Sequence, residues 1–308
     1  MSRIHEALKK AEQDRATVPI TDVFPGAAPP IAAVTGRGGS VPDSRSGIEG
    51  RSPAMSLPVA GGYLRFDDLR AHCAHPQWHL DPNTNIFSGT DVNAHGAEQF
   101  RTMRSRLYQL RGTQPLRTLL ITSAVPAEGK TFVAANLAQA IVRQPDRRAL
   151  LIDADLRIPR LHTVLGAPSS PGLTDYLRGE ADEISVIQHG QDGNLCFIPG
   201  GSEVTDPAEL ISNGRLKTLL ERVTPVFDWV IIDSPPCLPV ADASILADLC
   251  DGVLMVVRSG YTPMETAQRA CHEFRDRNLV GVALNRAEEL AGYGGEGYRY
   301  GYTRAEMK

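Results

Sequence analysis

The 308 residues carry 32 basic and 36 acidic side chains, a formal charge of −4 and a pI near 6.1, a balance that offers no general nucleic-acid-binding surface. Five scattered cysteines without C-x-x-C spacing point to a reduced compartment rather than a disulfide framework. A hydrophobic fraction of 42% suffices for a sizeable core, but no apolar run approaches the roughly 18 residues that span a bilayer, and the opening residues do not read as a signal peptide.

In chain order, residues 1–15 place Ile4, Ala7, Leu8 and Ala11 at helical spacing between charges, which predicts a short amphipathic helix. Residues 16–60 turn to Pro, Gly, Ala and Ser and read as a disordered linker. Weak order is expected over residues 61–93, where Leu64, Phe66, Leu69 and Trp78 can pack on a neighbouring domain. In that stretch His72, Cys73, His75 and His79 match no familiar zinc spacing. A folded domain is expected over residues 94–286. Its first helix, residues 97–111, has Phe100, Met103, Leu107 and Leu110 as its apolar stripe. Beside the stripe, Glu98, Arg101 and Arg104 form a ridge that is either a solvated ion-pair face or a subunit contact.

An apolar run then leads into a loop ending Glu128-Gly129-Lys130-Thr131 and a helical pattern that opens at Phe132. Strand, loop and helix in this order form a phosphate-binding loop, in which Lys130 reaches the β- and γ-phosphates and the Thr131 hydroxyl binds Mg²⁺. Ala124 stands where the usual pattern has its first glycine. Five further apolar runs, at residues 149–153, 195–199, 229–233, 253–257 and 280–284, alternate with helical patterns. The alternation predicts a doubly wound, mostly parallel α/β sheet of the P-loop NTPase type, with helices on both faces. Two runs end in acids, Asp153-Ala154-Asp155-Leu156-Arg157 and Asp233-Ser234-Pro235-Pro236, at the carboxyl edge where such sheets bind ligands. Hard oxygen donors beside phosphate predict ATP with Mg²⁺. A tail over residues 287–308 holds Tyr293, Tyr298, Tyr300 and Tyr302 among glycines, where burial is a poor explanation for the rings and modification or partner binding a better one.

Together the loop, the Asp153-x-Asp155-x-Arg157 and Asp233-x-Pro235-Pro236 motifs, the Glu98-x-x-Arg101-x-x-Arg104 helix and the tyrosine tail resemble the bacterial tyrosine kinases that work with polysaccharide co-polymerases in capsule and exopolysaccharide export. The opening residues 1–8 resemble, more loosely, members encoded with exosortase-linked systems. The resemblance implies nucleotide contacts from Ala127, Glu128, Gly129, Lys130, Thr131, Phe132 and Arg157, and from Asn285 at the end of the last strand. It implies Mg²⁺ at Thr131, Asp153 and Asp233, with Lys130, Asp153, Asp155 and Asp233 catalytic and Asp153 or Asp155 the base toward a tyrosine hydroxyl. It further implies that Tyr293, Tyr298, Tyr300 and Tyr302 are phosphorylated between subunits of a ring built through Glu98, Arg101 and Arg104. A membrane-embedded co-polymerase as activator, a cognate tyrosine phosphatase and a place at the inner face of the cell membrane follow from the same likeness. A partition or septum-positioning ATPase is the alternative. Such proteins carry a second lysine where Val125 stands here and lack the tyrosine tail; a nucleotide-dependent scaffold without kinase activity is a third reading.

Overall fold

Strand β1 (Thr118–Ser123) is buried along its whole length, and its side chains alternate between two apolar layers: Leu120 faces one, Leu119 and Ile121 the other. β2 (Ala149–Asp153), β4 (Leu195–Ile198) and β5 (Trp229–Asp233) are buried in the same way, and β6 (Gly252–Arg258) is buried except at its last residue. In the computed structural model, which describes residues 64–87, 94–190 and 193–287, these strands join β3 (Gln188–His189) and β7 (Leu279–Asn285) in one sheet of order β3-β4-β2-β5-β1-β6-β7. All neighbours are parallel except β3 with β4. The doubly wound α/β architecture expected from the sequence is therefore present, with one short antiparallel edge strand that the apolar pattern did not signal.

Parallel pairing needs helical crossovers, and these cover both faces. One face holds α2 (Ala94–Arg111), α3 (Lys130–Val142) and α4 (Leu161–Leu165). The other holds α1 (Phe66–His72), α5 (Leu173–Arg178), α6 (Glu183–Val186), α7 (Pro207–Ser212), α8 (Arg215–Val223), α9 (Asp242–Ala247) and α10 (Met264–Glu273). α3 lies between the sheet and α2, and its buried alanines at 134, 135, 138 and 140 let it sit close to both. Of its two buried amides, Asn136 is fully engaged: Oδ1 accepts the Ile86 N–H at 2.8 Å, and Nδ2 donates to the Thr84 and Phe132 carbonyls at 2.9 Å each.

Residues 64–87 do more than the weak order expected of them. Phe66 and Leu69 of α1 are buried in the sheet's own core, and Phe66 meets Phe227 edge-on at 5.8 Å. Ala74 then forms a parallel bridge to Gln188, Trp78 packs edge-on against Phe197 at 6.1 Å, and Ile86 and Thr84 reach Asn136 on the opposite face. The segment is a strap that runs round the β3 margin from one layer to the other. A Cβ on Gly190 would come within 2.6 Å of the Trp78 ring, so the strap's passage requires glycine there. His72 donates to the Asp68 carbonyl and His75 to the Arg70 carbonyl, while the His79 backbone N–H goes to Gly166; the four residues of the histidine–cysteine cluster do not converge. Among the described residues no group of three His, Cys, Asp or Glu side chains could hold a metal, and no helix is long and apolar enough to cross a membrane. The expected N-terminal helix, the linker and the tyrosine tail lie outside the described residues.

Because Leu69 is fully buried, Leu69→Ala should cost about 2–5 kcal/mol of global stability. Urea unfolding followed by far-UV circular dichroism checks this. A separable extension would leave the main transition where it is in the wild type.

Candidate active site

The phosphate loop joins the end of β1 to the start of α3. Its left-handed residues are Ala127 (φ 64°) and Gly129 (φ 93°), the latter the N-cap of α3. Ala124 is buried and lies outside the left-handed positions, which is why alanine serves where the usual pattern has glycine. At Gly129 glycine is needed twice over: its φ is positive, and a Cβ would lie 2.0 Å from Asn285 Nδ2. The first-turn N–H groups of α3 have no partner within the helix, and they face the same point as the helix dipole's positive end.

Strand register brings the acids to this loop. Asp153 on β2 pairs with Asp233 on β5, and Asp233 pairs with Ile121 on β1, so β2 and β5 end level while β1 runs two residues further, to Ser123, before entering the loop. Lys130 Nζ lies 2.7 Å from Asp155 Oδ2 in a pair that is almost buried. Burial alone would lower the ammonium pKa, but Asp233, Asp155 and Asp153 together outweigh it and raise it. The three carboxylates differ in what holds them. Asp153 accepts the Asp155 N–H on Oδ1 (3.3 Å) and the Arg160 and Leu161 N–H groups on Oδ2 (3.0 and 2.9 Å). Its pKa is nevertheless pushed well up, chiefly by burial and then by Asp233. Asp155 accepts the Ile158 N–H on its other oxygen at 3.2 Å. Asp233 is 1% exposed, and neither of its oxygens has a hydrogen-bond partner among the described residues. Burial raises its pKa to about 6, a rise moderated by Lys130 and by the nearby Thr131 hydroxyl.

This donor set fits Mg²⁺. A buried carboxylate with two free oxygens beside a hydroxyl on the phosphate loop is what that ion uses when substrate phosphates and water fill its remaining positions. It also answers an electrostatic imbalance: three carboxylates around one ammonium leave negative charge in excess once all are ionised.

The remaining predicted residues fall into place unevenly. Arg157 forms a bidentate pair with the fully buried Asp242 of α9, at 2.8 and 2.9 Å, so its guanidinium is committed to the protein. Phe132 packs edge-on against Phe100 of α2 at 6.0 Å, leaving its backbone at the loop. Asn285 Nδ2 donates to the Glu128 carbonyl at 2.8 Å and so binds the loop itself. The helix ridge is divided: Glu98 and Arg101 are exposed and paired at 3.1 Å, whereas Arg104 turns inward and donates to the Ala140 carbonyl of α3 at 2.5 Å. Asp242 and Thr262, the latter bonded to the Glu128 carboxylate, are site residues that the sequence did not single out. Asp242 in the first turn of a helix reads as an ordinary dipole partner.

Residues 127–276 match the family model described as an AAA domain. The chain is 35% identical over 216 residues to tyrosine-protein kinase YwqD of Bacillus subtilis, covering 70% of this chain and 90% of that one. The chain belongs to the bacterial tyrosine kinases. Its architecture superposes on the kinase domain of the Escherichia coli tyrosine kinase ETK with a TM-score of 0.64 at 30% identity, covering 77% of this chain and 98% of that domain. Other relatives are much longer. The kinase spans 28% of the succinoglycan biosynthesis transport protein ExoP of Rhizobium meliloti, at 34% identity over 68% of its own length, and 29% of the E. coli kinase etk, at 31% identity over 69%.

Since the fold raises the Asp233 pKa from 3.8 to about 6, the ionised form is disfavoured and the nucleotide-free kinase is the less stable for it at pH 7. Asp233→Asn should stabilise that form by about 1–3 kcal/mol at pH 7, the gain fading as pH falls to about 4. The same variant should lose Mg²⁺-dependent nucleotide binding. Thermal melts across pH, with and without Mg²⁺·ADP, test both halves.

Proposed function

We propose that this kinase transfers the γ-phosphoryl group of ATP to tyrosines of its own tail, Tyr293, Tyr298, Tyr300 and Tyr302, on a neighbouring copy of the chain. The observation that carries the reading is the Lys130–Asp155 pair under the unpartnered Asp233. A cation and a carboxylate are held at the phosphate loop, and a second carboxylate stands free for the metal.

The chemistry assigned to each group follows from its bonds. Lys130 leaves Asp155 for the phosphates, where it offsets charge on the transferring group. Asp155, released from the ammonium, is the base for the tyrosine hydroxyl. Asp153 has both oxygens held by backbone N–H groups, so it orients the Asp155–Ile158 turn. Asp233 and Thr131 would hold Mg²⁺, which would supply charge to offset that of the phosphates. The backbone from Ala127 to Phe132 cradles the phosphates, and Arg157, through Asp242, keeps the acidic turn against α9. The exposed Glu98–Arg101 pair is the intersubunit contact of a homo-oligomeric ring, with Arg104 fixing α2 on α3 behind it.

Likeness to ExoP, a succinoglycan biosynthesis transport protein, supports a role in exopolysaccharide or capsule export. The likeness to polysaccharide-export relatives such as ExoP supports a membrane-embedded co-polymerase as activator. The kinase then works at the inner face of the membrane through that partner, and a cognate tyrosine phosphatase resets the tail.

A mixing experiment tests transfer between copies. Lys130→Ala retains every acceptor but loses the counter-charge for three carboxylates, so it should melt lower and label itself not at all. A variant with all four tail tyrosines changed to Phe retains the site and has no tail acceptor. Mixed with ATP and Mg²⁺, the pair should place phosphotyrosine on the Lys130→Ala chain. Labelling by wild type but not by the mixture would show transfer within one chain. No labelling by either would remove the autokinase reading. For the ring, Arg101→Glu should lower the mass found by light scattering in the presence of ATP and Mg²⁺, and an unchanged mass would make the Glu98–Arg101 face a solvated one.

A further inference from the structure

The phosphate loop contains a negative charge of its own. Glu128 immediately precedes Gly129-Lys130-Thr131, and it is only 1% exposed. A buried carboxylate beside a site for polyphosphate opposes the ligand electrostatically unless it is held away and fully bonded. Three hydrogen bonds hold the carboxylate. Oε2 accepts the Val125 N–H at 2.7 Å, across the loop. Oε1 accepts the Thr262 hydroxyl and the Arg258 N–H, the latter at 3.3 Å, both from the carboxyl end of β6 and the turn after it. On the other side of the same residue, the Glu128 carbonyl accepts Asn285 Nδ2 from the end of β7 at 2.8 Å. Loop, β6 and β7 thus meet at one residue.

We infer that the Glu128 carboxylate is a positioning residue for nucleotide. It acts as a fixed internal anion that folds the loop into its binding shape and fastens it to the β6–α10 turn through Thr262. Three features support this over a plain core contact. The Val125–Glu128 bond closes the loop upon itself and takes up an N–H that would otherwise compete for the phosphates. The bond closes over Ala127 and sets Glu128 between the two left-handed residues, Ala127 and Gly129, one of them an alanine in a conformation L-residues resist. And the donor at the far end, Thr262, belongs to a separate element 134 residues away, so its hydroxyl has no reason to lie here except to meet this carboxylate. Glu128 touches the loop rather than the reacting atoms. Its effect is therefore expected in nucleotide affinity and KM more than in kcat.

The inference rests on the phosphate-loop reading but not on the tyrosine acceptors, so the test is binding, not phosphorylation. Titration of the full chain with a fluorescent ADP analogue and Mg²⁺ gives the affinity. Glu128→Ala should weaken it about tenfold or more, as loss of a buried charge-assisted bond implies. Thr262→Val, which keeps shape and removes only the hydroxyl, should weaken it about threefold. Glu128→Gln, which retains an acceptor for Thr262, should recover part of the loss. The double variant Glu128→Ala, Thr262→Val should bind no worse than Glu128→Ala alone, since the hydroxyl then has nothing to hold. Unchanged affinity in Thr262→Val, or full additivity in the double variant, overturns the coupling. A fall in melting temperature at unchanged affinity makes Glu128 a structural residue only. If Glu128→Ala does not fold, Thr262→Val decides alone. Loss of binding in wild type itself would instead overturn the phosphate-loop reading on which the inference depends.

Discussion

Strand register is the constraint on which the site depends. Asp153 stands opposite Asp233, and Asp233 opposite Ile121, because three parallel strands are held in one register, β2 and β5 ending level and β1 running on to Ser123. Side chains alternate across a sheet, so a slip of one residue would turn a carboxylate toward core and a core residue toward the loop. The two apolar layers guard against this: Leu150 and Ile152 belong to one, Ala149 and Leu151 to the other. Packing on both faces therefore fixes the chemistry at the strand ends, and the carboxylates need no special loop to bring them together.

That arrangement is held at a cost in electrostatics. Asp233 lies buried with both oxygens unpartnered, and Lys130 is shared among three acids. The three carboxylates are buried, so charge interactions among them are stronger than they would be in solvent. The bonds that maintain the geometry come from elsewhere. Backbone N–H groups hold Asp153, Asp242 holds Arg157, and the ends of β6 and β7 hold Glu128. Asp233 alone of the three acids is left without a partner, while Lys130 is paired with Asp155 and the surrounding groups are saturated.

The sequence displayed what is local and hid what is distant. The phosphate loop and the two Asp motifs were legible because each lies within a continuous strand–loop–helix stretch whose period and punctuation are readable. Five further strands were legible from apolar runs; β3 was not, since two residues leave no period to read. The partner of Arg157 lies 85 residues away in sequence, and that of Glu128 lies 134, so neither bond has a local signature. Arg104 is instructive in another way. Helical spacing set it on one ridge with Glu98 and Arg101, but a long side chain at the margin of a ridge can bend to either side, and here the Ala140 carbonyl captures it. Weak apolar density over residues 64–87 concealed a strap because its anchors, Phe66, Leu69, Trp78 and Asn136's partners, are spread along an irregular path.

The strap has a bearing on how copies of the kinase can meet. An uncovered strand margin is a template on which another chain can add. At the β3 margin, Ala74 fills that role within the same molecule: its N–H goes to the Ile187 carbonyl, and its own carbonyl accepts the His189 N–H at 2.8 Å. The opposite margin is β7, where Val282 and Leu284 are exposed and no further strand pairs among the described residues. The sheet thus has a closed end and an open one, so stacking of sheets end to end into an indefinite fibre is blocked at the β3 end of every copy. Backbone pairing between copies is thereby limited, among the described residues, to the β7 margin, where two copies can join edge to edge but no third can follow.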